Sequence, residues 1–208
     1  MTDQWILVGR SSSHYTRVVR VVAAELGVSY QLEPIYDFMT EEAAVFAGNP
    51  ALKMPVLKRG ELAVFGTLNI CRTLAREEDA EKRFFWPDDA RTVSLMNAHE
   101  VLAHAMAAEV EVVMHEIVAR RPEDAPSRKR RQSLVNCLLW LDQNLADLRR
   151  QLPRHQLSLF EISLYCLVAH IPFRIPMDLS GMPVLVEFEK SFGERPSAQG
   201  TPYRYDQP

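Results

Sequence analysis

Three consecutive hydroxyls, Ser11, Ser12 and Ser13, stand between a short apolar run and a stretch with helical periodicity. The free N–H groups and dipole of a helix start favour an anion and lower the pKa of a thiol placed there. Serine is also a preferred helix cap, so these residues can equally serve the helix alone. His14 follows, either an acid–base group or a solvated loop residue. Thr67, after Gly66, puts another hydroxyl at a helix start, which suits a carboxylate. Between these lies Met54-Pro55. A proline lacks an N–H, and a turn there can open its neighbour's backbone groups to an extended peptide. The plainer alternative is a turn leading into a strand.

Other groups point away from metal and disulfide chemistry. His99, His104 and His115 fall on one helix, but the first two are about 140° apart around its axis and the last two about 16 Å apart along it. No metal site is expected. Cys71, Cys137 and Cys166 are odd in number and set among apolar residues, and read as buried thiols with no C-x-x-C motif. Arg128-Lys129-Arg130-Arg131, with Arg120 and Arg121, reads as a solvated helix face, the alternative being an anion or partner site. A net charge of −3 and a pI near 6.1 point to neither nucleic acid nor an anionic membrane as partner. No basic leader with an apolar core and no stretch of about 18 apolar residues is found, so the expected compartment is the cytoplasm.

The positioning elements follow from hydrophobic period. Trp5 to Val8 reads as a buried strand ended by Gly9. From Thr16, Val18, Val19, Val22, Ala23 and Leu26 share a helical face, with Gly27 as its stop. Val28 to Glu33 alternates as a second strand, parallel to the first because a helix joins them. Thr40 to Gly48 reads as a short helix. Val56–Lys58 and Leu62–Val64 flank Arg59-Gly60-Glu61 as a hairpin. Thr67 to Arg76 is a helix with Leu68, Cys71, Leu74 and Ala75 inward. The order is β-α-β-α-β-β-α over residues 1–78.

Residues 79–90 read as a linker, and 91–208 as an all-helical domain. One long helix spans Asp88 to Arg121, with Leu95, Ala98, Leu102, Met106, Val110, Val113 and Ile117 on its stripe. A second runs from Ser127 to Arg150 with Leu134, Leu138, Leu141, Leu145 and Leu148 inward. Ser158 to Ile171 is apolar nearly all round and reads as buried. Pro183 to Phe192 is a fourth, and the proline-rich tail from Arg195 is expected to wrap the surface.

This order resembles the cytosolic glutathione transferase superfamily, with a thioredoxin-like α/β domain followed by an all-α domain. Ser13-His14-Tyr15-Thr16-Arg17-Val18-Val19-Arg20 is similar to that family's first turn and helix. Asn49-Pro50-Ala51-Leu52-Lys53-Met54-Pro55-Val56-Leu57 resembles its Asn-Pro-x-Gly-Lys-Val-Pro-x-Leu segment. Phe65 to Leu74 resembles its acid-Ser-x-Ala-Ile segment. Ser158-Leu159-Phe160-Glu161 stands where the family has a Ser/Thr-x-x-Asp cap, and Arg195-Pro196-Ser197 matches a common closing motif.

The resemblance implies glutathione as co-substrate, a cis Pro55, and a Met54 backbone paired with the cysteinyl part of the tripeptide. Lys53 would meet the glycyl carboxylate, and Gly66 with Thr67 the γ-glutamyl end. Ser13, Ser12 or Ser11 would activate the thiol, which attacks a small hydrophobic electrophile in a detoxifying conjugation. Met96, His99, Ala103 and Tyr203 would line the second-substrate pocket. A homodimer is implied, without metal. Departures are His14 for the family's proline, Leu52 for its glycine and Gly66 for its acid. Gly66 and His14 favour the alternative, a non-catalytic binding or assembly module with an altered glutathione site. A thiol oxidoreductase is a third reading.

Overall fold

The computed structural model describes residues 4–207. They form two compact units, one running up to Lys82 and resuming from Arg195, the other Arg83–Glu194. By contacts, the chain's far end, expected with the helices, groups with the first unit. Arg17 and Arg20 donate to the tail's carbonyls, and Glu25 accepts from Arg195.

The first unit is built on four strands: β1 (Trp5–Gly9), β2 (Tyr30–Pro34), β3 (Val56–Arg59) and β4 (Leu62–Phe65), in spatial order β2-β1-β3-β4. β2 runs parallel to β1 with Leu32 beside Leu7, as a helical crossover requires. β3 is antiparallel to β1, placing Leu57 beside Leu7, and pairs with β4 across the Gly60 turn. Leu7 and Leu57 are buried, which fixes the register of the central strands.

Two helices complete the unit, α1 (His14–Leu26) and α2 (Thr67–Glu77). α1 begins two residues before its expected start, because Ser13 caps it: the Ser13 Oγ accepts the Thr16 N–H at 3.3 Å. It stops at Gly27, whose φ of 73° is the left-handed conformation glycine tolerates. The expected helix over Thr40–Gly48 is only a 3₁₀ turn, Ala43–Phe46. Local side-chain bonds compete there: Thr40 Oγ1 accepts the Glu42 N–H and Asp37 Oδ1 the Met39 N–H. Phe46 from this turn joins Val8, Ile35 and Val56 in a buried cluster against which Leu52 and Met54 pack.

The second unit contains α3 (Val93–Val112), α4 (Ala125–Gln151), α5 (Leu159–Arg174) and α6 (Pro183–Gly193). It is not wholly helical, since β5 (Phe84–Phe85) pairs in parallel with β6 (Leu157–Ser158). The five α4 leucines at 134, 138, 141, 145 and 148 are all buried, as their spacing predicts. α3 departs from expectation. Its buried line runs through Leu102, Ala105 and Glu109 to Val112, and Val113–Val118 is π-helical. The wider turn rotates Ile117 to 38% exposure. Asp124 and Ser127 cap α4 reciprocally, and the Ser127 N–H holds the Asp124 carboxyl below its ordinary pKa.

Candidate functional site

The chain turns tightly from β1 into α1, and one glycine permits it. A Cβ on Gly9 would lie 2.7 Å from the Thr16 Oγ1, an oxygen that also accepts the Arg10 N–H at 3.4 Å. The Ser13 N–H closes the turn on the Arg10 carbonyl at 3.1 Å. This geometry stacks the three serines at the helix start, where free N–H groups and the dipole converge.

The three serines are not equivalent there. Ser13 is half-buried, and its cap bond uses a lone pair while leaving its hydroxyl proton to donate. Ser12 is buried. Ser11 is fully buried, and its Oγ has no hydrogen-bond partner among the described residues. The Ser11 N–H donates to the Asp206 Oδ2 at 2.7 Å. His14 is buried too, its ring tilted against Tyr15 at 4.4 Å between centroids.

Lys53, Met54 and Pro55 form the second part. The Met54–Pro55 peptide bond is cis. Asn49 sets this loop from inside: its Nδ2 donates to the Lys53 carbonyl at 2.8 Å, and its Oδ1 accepts the Ala51 N–H. Leu52 stands at φ 53°, which is why a glycine would suit that position better. Met54 points its side chain into the Phe46 cluster, while Lys53 remains exposed. Side-chain packing therefore anchors the turn.

The third part is the start of α2. Gly66 is exposed and caps the helix with backbone alone, at φ 86° and ψ 136°. Thr67, the first helical residue, is half-buried. No acid stands at this helix start; Glu77 at the other end binds Arg59 through both oxygens, at 2.6 and 2.9 Å.

The expected second-substrate residues divide between the units. Met96, His99 and Ala103 share α3, with Met96 and Ala103 exposed. The His99 ring meets Phe160 edge-on at 5.5 Å, and burial pushes its pKa down. Tyr203 belongs to the first unit, where the Arg17 guanidinium lies over its ring at 4.3 Å. An open groove of about 470 Å³ runs between α4 and α6, lined by Leu145, Arg149, Val184 and Phe188, and includes none of the expected residues.

Sequence reasoning missed two features. Glu109 and His170 form a buried pair at 2.8 Å, and an acid inside an apolar stripe was the available signal. Asp206 reaches Ser11 across the whole chain, and no local pattern announces it. The expected Ser158–Glu161 cap is not made: Ser158 caps α5 without a side-chain bond, and Glu161 pairs with Arg149 at 2.8 Å.

Comparison with known proteins follows the same lines. Residues 12–77 match the family of glutathione S-transferase N-terminal domains. No curated protein matches the chain. A glutathione S-transferase from Methylobacillus flagellatus, solved with glutathione bound, is 21% identical over 97% of this chain and 100% of its own, with a TM-score of 0.76. One from Methylobacterium radiotolerans, in complex with glutathione sulfonate, is 20% identical over 99% of this chain and 97% of its own, with a TM-score of 0.78. A glutathione transferase family member from Pseudomonas fluorescens with bound glutathione is 21% identical, covering 97% and 100%, with a TM-score of 0.76. Among the described residues, no helix is long and apolar enough to cross a membrane.

Proposed function

We propose, from the premise that residues 12–77 are a glutathione S-transferase N-terminal domain on a chain with the glutathione transferase fold, that this protein binds glutathione and transfers its thiolate to a small apolar electrophile. The observation that carries the reading is the domain match itself, which takes in Ser12, Ser13, the Met54–Pro55 turn and Thr67. Glutathione bound to the relatives from Methylobacillus and Pseudomonas supports it.

In this reading each end of the tripeptide meets a group suited to it. The Met54 backbone pairs with the cysteinyl residue in the manner of an added strand. Lys53, exposed and held by Asn49 at its carbonyl, meets the glycyl carboxylate. Thr67 and the free N–H groups of α2 receive the γ-glutamyl carboxylate. A serine at the start of α1 donates to the thiolate, and the helix dipole stabilises the charge. Ser11 and Ser13 both retain a hydroxyl proton to give. The rest of catalysis is proximity, with the electrophile held beside an already ionised sulfur. A homodimer in the cytoplasm completes the proposal.

A second reading, a binding module without turnover, is favoured by one observation: the exposed Gly66 offers no acid to the γ-glutamyl ammonium. Thermal unfolding with and without millimolar glutathione tests the first step. Saturating ligand at about 100 times Kd stabilises by about 2.7 kcal/mol, a shift of several degrees; no shift would end the glutathione reading. Conjugation assays on Ser11→Ala, Ser12→Ala and Ser13→Ala then separate the two readings. Loss of rate in one variant identifies the activating hydroxyl. Binding with no conjugation in the unsubstituted protein, across a panel of electrophiles, selects the module.

A further inference from the structure

We infer that the chain carries its own competitor for the thiolate site: the Asp206 carboxylate occupies the Ser11 N–H at the start of α1, and the tail must release it before that site takes an anionic sulfur. The inference rests on the glutathione reading and names a regulation of the same site.

The tail is guided there by a series of specific bonds. Thr201 ends the short helix α7 (Pro196–Gln199) with its Oγ1 donating to the Ser197 carbonyl at 2.8 Å. Arg20 Nη1 then donates to the Pro202 carbonyl at 3.2 Å, and Arg17 covers the Tyr203 ring. Asp206 follows, its side chain only 6% exposed. Beyond it the Tyr36 hydroxyl donates to the Gln207 carbonyl at 2.9 Å.

The chemistry of the Asp206 contact is that of an anion site in use. Its short bond, 2.7 Å, is to the Ser11 N–H. Arg204 lies farther off at 3.9 Å with an exposed side chain. The Ser11 Oγ is buried beside this contact with no partner among the described residues, a donor still lacking an acceptor. A thiolate makes the same demand as a carboxylate on such donors, and two anions cannot share them at hydrogen-bond distance. The Asp206 and Gln207 contacts lie at the far end of the tail, so they can open locally while α1 stays intact. Apparent affinity is then the intrinsic affinity multiplied by the fraction of molecules that are unlatched.

Calorimetric titration of glutathione into the full chain, Asp206→Asn and Asp206→Ala tests this. Asp206→Ala is expected to bind about tenfold more tightly, with Asp206→Asn between the two. Hydrogen exchange of residues 201–207 in the unsubstituted chain is expected to accelerate when glutathione binds. Equal affinities with unchanged exchange would overturn the latch and leave the glutathione reading standing. If none of the three proteins binds glutathione, that reading has failed, and a ligand-free measurement decides the latch. The thiol introduced by Ser11→Cys is alkylated with iodoacetamide and followed by peptide mass spectrometry, apart from the three natural cysteines. Adding Asp206→Ala should raise its rate at least about fivefold, by removing both cover and a repelling charge; an unchanged rate refutes the latch.

Discussion

At Gly66 the backbone and the missing side chain make opposite demands. An acid there would give the γ-glutamyl ammonium a charged partner. A φ of 86° is a conformation that L side chains rarely adopt, so the acid has a conformational cost. Gly66→Glu is expected to destabilise the protein by about 1–2 kcal/mol while strengthening glutathione binding by about 1.5–3 kcal/mol, the worth of a hydrogen bond to a charged group. Melting and calorimetry on the same variant check both signs; weaker folding without tighter binding would place the ammonium elsewhere. The sequence made the lost acid legible because the neighbouring motif is intact. It did not make the backbone angle legible, because glycine is compatible with every angle. Leu52 shows the converse: at φ 53° it occupies a glycine-like position, yet its packing against the Phe46 cluster offers a compensating contact that spacing alone does not reveal.

Helix α3 shows where periodicity fails at the scale of an element. Following apolar residues along the stripe leads from Met106 to Val110, whereas the buried line passes through Glu109. A charged residue was stepped over because its partner, His170, lies on α5, 61 residues away in sequence. On α4 the buried positions beyond the capping Ser127 are all leucine, and there the period gave the buried face. Removing one member of the α3–α5 pair leaves the other buried without it, so Glu109→Ala is expected to cost about 3–5 kcal/mol. The double variant Glu109→Leu with His170→Leu should cost less than the single one, since two apolar groups need no partner. Urea unfolding of the three proteins measures both. α6 carries the same lesson: its Leu185 N–H is capped by Asp142 of α4 at 2.9 Å, a partner that its own segment cannot name.

Across the whole molecule, the division of the chain follows contacts and not sequence order. The prolines and tyrosines after Arg195 suggested a wrapping tail, and that much was legible. What the tail wraps was not, because its partners are Ser11, Arg17, Arg20, Glu25 and Tyr36, all at the opposite end of the sequence. Arg195 Nε and the Ser197 hydroxyl both reach Glu25, at 2.9 and 2.5 Å, and Arg17 donates to the Ala198 carbonyl at 3.2 Å. Deleting residues 195–208 removes all of these and strips cover from buried arginines. Hydrogen exchange should then accelerate in α1 and β1, by a factor corresponding to at least about 2 kcal/mol, while α4 and α5 keep their protection. Equal loss in both units would show that the tail stabilises the molecule as one body.

The split in the first unit also sets an order of assembly during synthesis. The sheet and its two helices leave the ribosome first, but the residues that close over α1 follow only after the entire helical unit has been made. At 5–20 residues per second, the interval between Lys82 and Arg195 is on the order of 6–20 seconds. For that time the nascent domain carries two arginines and a serine-lined helix end without the strand of chain that later covers them. The helical unit, continuous in sequence, has no such wait.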